Sequence, residues 1–234
     1  RPHGLHEQQD EDDPLTARAR TTLAMLPPSI PIFPLPNVVL FPNVFLPLHI
    51  FEQRFREMVA DAVAGDRIIG MVLLRPGWEE DYQGRPPVYP VGCAGLITNF
   101  EQLDDGRYNI ILRGMQKFRI GDEDDRRSYR QARVEGIAEP IDDTVREAIR
   151  RDRGRLEAVV AKGLRQAGTE GQVPTSMPDE DLVNALAQYL DLEPVEKQAL
   201  LERDGPLARC ESLIELLEMK MLLASHAGQP YEVQ

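Results

Sequence analysis

The chain of 234 residues is 42% hydrophobic and 28% charged, enough apolar material for a buried core in a water-exposed protein. Its 27 Lys and Arg against 39 Asp and Glu leave a net charge of −12, the wrong sign for general attraction to a phosphate backbone, so nucleic acid is set aside as a main partner. No stretch reaches the roughly 20 apolar residues of a membrane helix, and the two cysteines, Cys93 and Cys210, stand in no CxxC or Cys/His cluster, so neither a membrane span nor a zinc site is expected. Two isolated cysteines suit a reducing compartment, and the expected location is cytoplasmic.

Residues 1–26 read as a disordered arm. The run EQQDEDD is acidic and has no apolar face with which to fold. The character then changes: between Pro27 and Pro47 seven prolines are set among aliphatic and aromatic residues. A proline inside a helix costs about 3 kcal/mol, so residues 30–48 are not helical. They are too apolar for a solvated linker, which leaves extended chain: two short strands over residues 38–41 and 44–48, with prolines at edges and bends. Next, Phe51, Phe55, Met58, Val59, Ala62 and Val63 recur at helical spacing, with Glu52, Gln53, Arg56, Glu57 and Asp61 on the other face. Gly65 supplies the stop.

Residues 67–74 form a short continuous apolar run, the pattern of a strand buried on both faces. Residues 75–90, rich in proline and glycine, form a long loop that carries the single tryptophan, Trp78, with Tyr82 and Tyr89. Long loops bearing aromatics are frequent binding sites, and they also fold back to cap the end of a sheet. Residues 91–98 are the next strand, where Gly92, Ala94 and Gly95 let a neighbouring backbone come close. Asp104-Asp105-Gly106 is a hairpin turn signal. Tyr108, Ile110 and Leu112 then alternate on one side, Gly114 permits a bulge, and residues 116–120 and 129–137 are further strands.

Beyond Pro140 the apolar period lengthens from two residues to 3.6. Asp142 or Asp143 can cap a helix whose stripe is Val145, Ile149, Leu156, Val159, Val160 and Leu164, weakened in its middle by Gly154. After a loop over residues 168–178, a second stripe comprises Leu182, Val183, Leu186, Tyr189 and Leu190. Pro194 suits the first position of a short helix through Glu202. Pro206 opens the last helix, striped by Leu207, Cys210, Leu213, Ile214, Leu217, Met221 and Ala224.

Catalytic machinery is not legible. There is no GxxxxGK[ST] phosphate loop and no GxSxG elbow, and none of the serines stands in a recognisable nucleophile context. His3 and His6 lie in the arm and His226 near the end of the chain. His49, at a strand–helix junction, reads as a capping or packing residue rather than a base. Glu79-Glu80-Asp81 reads as solvated. No catalytic residue, metal or cofactor is expected.

Several stretches carry a family resemblance: Ile32-Phe33-Pro34-Leu35-Pro36-Asn37-Val38-Val39-Leu40-Phe41-Pro42, then Leu46-Pro47-Leu48-His49-Ile50-Phe51-Glu52, with Arg54 and Met58. Further along are Val91-Gly92-Cys93-Ala94-Gly95, Asp105-Gly106-Arg107, Leu112-Arg113-Gly114 and Lys117-Phe118-Arg119-Ile120. More loosely there follow Asp181-Leu182, Leu186-Ala187, Glu196-Lys197-Gln198, Leu200-Leu201-Glu202, Arg209 and Leu213. Over residues 30–225 the chain resembles the N-terminal, substrate-binding domain of Lon protease, with Lys117 where that pattern often has arginine.

The resemblance implies a stand-alone Lon-domain protein lacking the ATPase and Ser–Lys protease domains. Its function would be non-catalytic recognition of unfolded or degron-bearing polypeptides, with delivery of these clients to a separate ATP-dependent protease. The fold class is α+β: a β-rich pseudo-barrel with one packed helix over residues 27–140, a helical subdomain over 141–228 and a tail over 229–234. Candidate peptide contacts are Trp78, Tyr82, Tyr89 and Phe100. Two alternatives stand beside this reading: a small-molecule enzyme using the cleft between the subdomains, and a structural or oligomerisation module. The oligomeric state is left open.

Overall fold

The computed structural model describes residues 26–166 and 177–227. The expected arm (apart from Leu26), the tail, most of the loop at 168–178, His3, His6 and the side chain of His226 lie outside the described residues. The strands are β1 (Ser29–Leu35), β2 (Phe45–Ile50), β3 (Ile68–Leu73), β4 (Val91–Gln102), β5 (Tyr108–Asp124) and β6 (Arg130–Ile137). The helices are α1 (Gln53–Ala64), α2 (Asp143–Gln166), α3 (Asp179–Tyr189), α4 (Pro194–Leu201) and α5 (Gly205–Ala227). The architecture is the expected α+β arrangement, with α1 inserted among the strands and the other four helices after them.

The strand order is β2-β5-β4-β3-β1-β6, and β6 pairs also with β5. That extra pairing closes β5, β4, β3, β1 and β6 into a barrel. Closure depends on the length of β5, 17 residues. Its first part pairs with β2 and its later part with β6, while β4 runs beside both. β2 therefore projects from the barrel as one side of a wing, with β5 and β4 behind it and, among the described residues, no strand on its outer edge. Ile30, Ile32, Val72, Ala94, Phe118 and Ala132, drawn from all five closing strands, pack into one small cluster that fills the barrel. A second, larger cluster lies outside it. This cluster joins Phe33, Phe41, Met58, Met71 and Leu112 to Ile149, Leu156, Val183, Leu213 and Ile214 of the helices. β3 serves both clusters, Val72 facing one and Ile69, Met71 and Leu73 the other, which explains its unbroken apolar run.

The proline-rich segment departs from expectation. Residues 38–41 form no strand, although Val39, Leu40 and Phe41 are buried. Their backbone is met by a side chain instead of a ladder: the Phe41 N–H donates to Gln188 Oε1 on α3 at 3.2 Å. The strand lies earlier, at β1, and contains Pro31 and Pro34. β6 pairs with residues 29–32 and β3 with residues 32–35. Each proline thus sits where β1 has a single neighbour, and its missing N–H is tolerated on the other side.

Three stripe residues are also corrected. Phe51 is 63% exposed because α1 begins two residues later. Tyr189 is 66% exposed at the end of α3, and Ala224 is exposed on α5. Of the rest of the α1 stripe, Phe55, Met58, Val59 and Ala62 are buried and Val63 is half-buried, and Gly65 is the C-cap.

Gly114 marks a bulge. β4 and β5 shift register between Ala94 and Gly95, so Met115 has no opposite residue. A side chain at Gly114 would place its Cβ 2.0 Å from the Phe41 carbonyl oxygen, and that close approach lets the wing fold over the segment before β2. In the helical part, Asp142 Oδ1 accepts the Val145 N–H at 2.8 Å and caps α2. Pro194 opens α4 above a Glu193–Glu196 capping box.

Candidate functional site

The wing positions the site. β2 alternates in burial: Leu46, Leu48 and Ile50 face inward, while Phe45, Pro47 and His49 are exposed. Its backbone alternates as well. Gly114 of β5 takes the Asn43 N–H on its carbonyl and gives its own N–H to the Val44 carbonyl. Continuing that alternation, Leu46, Leu48 and Ile50 direct their peptide groups to β5, and those of Phe45, Pro47 and His49 face the open edge. Two features temper this edge. Pro47 has no N–H to offer, and the Phe45 carbonyl accepts the Tyr189 hydroxyl at 2.8 Å.

Two grooves flank β2. The larger, of about 540 Å³, has Pro47, Leu48, Phe100 and Ile111 as its apolar wall. Its polar side is a chain of hydrogen bonds. Arg107, which has only donors, donates to His49 Nε2 at 3.2 Å. His49 Nδ1–H therefore donates to Asn109 Oδ1 at 2.8 Å, and Asn109 Nδ2 donates to Glu101 Oε2 at 3.0 Å. Asp105 completes the chain by pairing with Arg107, whose backbone N–H is the first reason its carboxyl stays below the ordinary range. Both ring nitrogens of His49 are engaged in hydrogen bonds, although the residue is exposed. The smaller groove, of about 390 Å³, lies between Val44, Phe45, Ala185 and Tyr189, with Met177 and Pro178 at one side. Phe45 on β2 is 51% exposed and Phe100 on β4, across β5, is 43% exposed, large apolar surfaces left in water on the same wing.

Of the four aromatics singled out in the sequence, Phe100 lines the larger groove; Arg67 stacks over its ring at 5.7 Å. Trp78, Tyr82 and Tyr89 line neither groove. Trp78 meets Tyr82 edge-to-face, with centroids 5.4 Å apart. Tyr82 folds onto the start of α1, where its hydroxyl donates to Glu52 Oε1 at 2.5 Å and Arg54 lies over its ring at 4.8 Å. Burial, then the bond to Glu52, raises the Tyr82 hydroxyl above the usual tyrosine range. Tyr89 lies under Arg75 at 5.5 Å, and its N–H donates to the Leu73 carbonyl. Phe45, Ile111 and Tyr189 were missed as surface residues. For Phe45 the signal is the alternation of residues 45–50 and for Ile111 that of β5, but which phase faces water is decided by distant strands.

Both cysteines are buried, and burial pushes each thiol up to about 12, which leaves them inert as nucleophiles. Among the described residues no cluster of three or more His, Cys, Asp or Glu could hold a metal, and no helix is long and apolar enough to cross a membrane.

Comparison with known proteins places residues 29–219 in the family model described as the ATP-dependent protease La (LON) substrate-binding domain. The Lon protease of Anaeromyxobacter dehalogenans is 30% identical over 200 residues, which cover 83% of this chain and 24% of that protein. Lon protease 2 of Myxococcus xanthus gives the same figures: 30% identity, 83% and 24%. The chain thus spans about a quarter of the length of these relatives, 24%. Among solved structures, the Lon N-terminal domain protein from Xanthomonas campestris superimposes with a TM-score of 0.59 at 26% identity, covering 80% of this chain and 97% of that one. The N-terminal domain of Mycobacterium avium complex Lon protease gives a TM-score of 0.61 at 16% identity, covering 81% and 98%, a likeness of fold.

Proposed function

The chain belongs to the family of Lon substrate-binding domains, and from that premise we propose that it recognises polypeptides through the open edge of β2. The observation that carries the reading is the exposed apolar surface of the wing: Phe45 with Tyr189 at one end of β2, Pro47 with Ile111 beside it on β5, and Phe100 beyond on β4. An extended segment of an unfolded or degron-bearing polypeptide lies along β2, shares its outward peptide groups and drops alternate apolar side chains into the two grooves. The role is binding without chemistry of its own. Delivery of the bound chain to an ATP-dependent protease is the natural use of such a module. The aromatic loop of Trp78, Tyr82 and Tyr89 is kept as a second proposed contact surface, because Trp78 is only half-buried.

The test is fluorescence anisotropy with a labelled, permanently unfolded casein. Phe45→Ser and Phe100→Ser are expected to weaken binding about tenfold or more, in the range of truncated interface anchors. Trp78→Ala serves as the comparison. If the Trp78 variant loses binding and both groove variants keep it, the loop is the contact surface and the β2 edge is not.

A further inference from the structure

Four guanidinium groups converge on a pocket of about 280 Å³, in a chain whose net charge is −12. They come from three segments: Arg54 from the first turn of α1, Arg85 from the loop before β4, and Arg127 and Arg130 from the turn between β5 and β6 and the start of β6. The basic run Arg126-Arg127-Ser128-Tyr129-Arg130 supplies two of the four, and the fold brings Arg54 and Arg85 to them. Phe55 and Pro34 supply an apolar wall.

Each guanidinium is braced from behind. Arg54 lies over the rings of Phe55 and Tyr82, at 4.6 and 4.8 Å, and bonds to Glu52 and to the Tyr82 carbonyl. Arg130, largely buried, forks onto Glu123 and donates to the Pro86 carbonyl at 2.7 Å. Arg85 donates twice to the Asp124 carbonyl, at 3.3 and 3.2 Å, and Arg127 bonds to Asp61. The bracing carboxylates Glu52, Glu123 and Asp61 are not on the pocket wall; Asp125 is the carboxylate that is. An arginine has five N–H donors, and the braces on Arg54 and Arg130 engage three nitrogens each. Spare donors remain, already oriented, so little side-chain entropy is lost when an anion arrives.

We infer that this pocket binds a phosphate group. One carboxylate has two oxygens and a single charge, which one guanidinium fork satisfies. A phosphate monoester has three terminal oxygens and close to two charges, which suits several forks at once. The group can be carried by a small free phosphate compound or by a phosphorylated side chain, and both present the same chemistry. The inference stands apart from the polypeptide reading of the β2 edge and survives its failure.

Calorimetric titration at fixed ionic strength tests it with three probes: pyrophosphate, a phosphoserine tripeptide and the same tripeptide without phosphate. The variant is Arg85→Gln with Arg127→Gln. These side chains are 38% and 51% exposed, so their loss leaves the barrel folded, which the unfolding midpoint verifies. Wild type is expected to bind at least one phosphate probe, and the double variant to bind it about tenfold more weakly or not at all, the scale of lost charge-assisted bonds. Tighter binding of the tripeptide identifies a modified polypeptide as the source; tighter binding of pyrophosphate identifies a free compound. Either order upholds the site. No binding of either phosphate probe, equal binding of the unphosphorylated tripeptide, or a double variant that binds as well as wild type overturns it.

Discussion

Arg209 of α5 and Lys117 of β5 meet on one oxygen, Oε1 of Glu139, at 2.5 and 2.8 Å. Arg209 is wholly buried. It also donates to Asn184 Oδ1 at 2.7 Å and to the Leu200 carbonyl at 3.1 Å, and it lies 5.7 Å from the Phe41 ring. Lys117 donates to the Arg203 carbonyl at 2.7 Å. Barrel, linker and three helices are thus tied through one carboxylate. Breaking such a network from one side leaves buried polar groups without partners. Arg209→Met, which keeps much of the volume, is expected to lose about 3–5 kcal/mol of stability. Urea denaturation measures it, with a fall in midpoint at unchanged slope.

Two glycines predict opposite outcomes for the same substitution. At Gly114 an added Cβ meets backbone, the Phe41 carbonyl oxygen at 2.0 Å and Pro42 Cα at 3.2 Å, and no rotamer can relieve the clash. Gly114→Ala should cost about 1–3 kcal/mol or more, as overpacking does, and loosen the joint between the wing and residues 41–44. At Gly154, inside α2, an added Cβ has nothing within 4 Å. Gly154→Ala should raise stability by about 1 kcal/mol through helix propensity alone. Thermal unfolding of the pair gives shifts of opposite sign.

Much of this arrangement is visible in the residues themselves. The period-two alternation of Tyr108, Ile110 and Leu112 and the 3.6 period of Phe55, Met58, Val59 and Ala62 each report one buried face, a local property that needs no knowledge of the partner. Residues 38–41 are misleading because their apolar side chains are buried as a strand's would be. The Phe41 N–H goes instead to Gln188, 147 positions away, a partner that no local pattern can announce. The site was harder to see for the same reason. Phe45 and Leu48 look alike in sequence, and only the pairing of β2 with β5 decides which faces water. The aromatic loop stood out by composition, yet Tyr82 spends its hydroxyl on Glu52. Phe100, singled out for its place at a strand end, lines the larger groove.

Tyr129 makes the pH dependence specific. Burial first, then its hydrogen bond to Asp61, raises its hydroxyl from 10.0 to about 12. The neutral phenol is the form the fold favours. Its contribution is therefore complete below pH 10 and is lost as pH rises from there through about 12. In Tyr129→Phe the ring remains and this titration disappears. Stability of the variant should fall less steeply than wild type between those two values. Denaturant midpoints taken at several alkaline pH values measure the difference; parallel curves would show that Tyr129 ionises as freely in the fold as in the unfolded chain.

Tyr189 separates two ways of using the β2 surface. Its hydroxyl occupies the Phe45 carbonyl, an outward acceptor that an incoming strand would need. If an extended polypeptide adds to β2, Tyr189→Phe frees that acceptor while keeping the ring beside the smaller groove. One hydrogen bond of about 0.5–1.5 kcal/mol then becomes available to the ligand, so affinity for unfolded casein should rise about two- to tenfold. If the polypeptide only rests its apolar side chains on Phe45 and Tyr189, the hydroxyl is irrelevant and affinity stays the same. Anisotropy titrations of wild type and variant distinguish strand addition from simple hydrophobic contact, since only the former competes with Tyr189 for the Phe45 carbonyl.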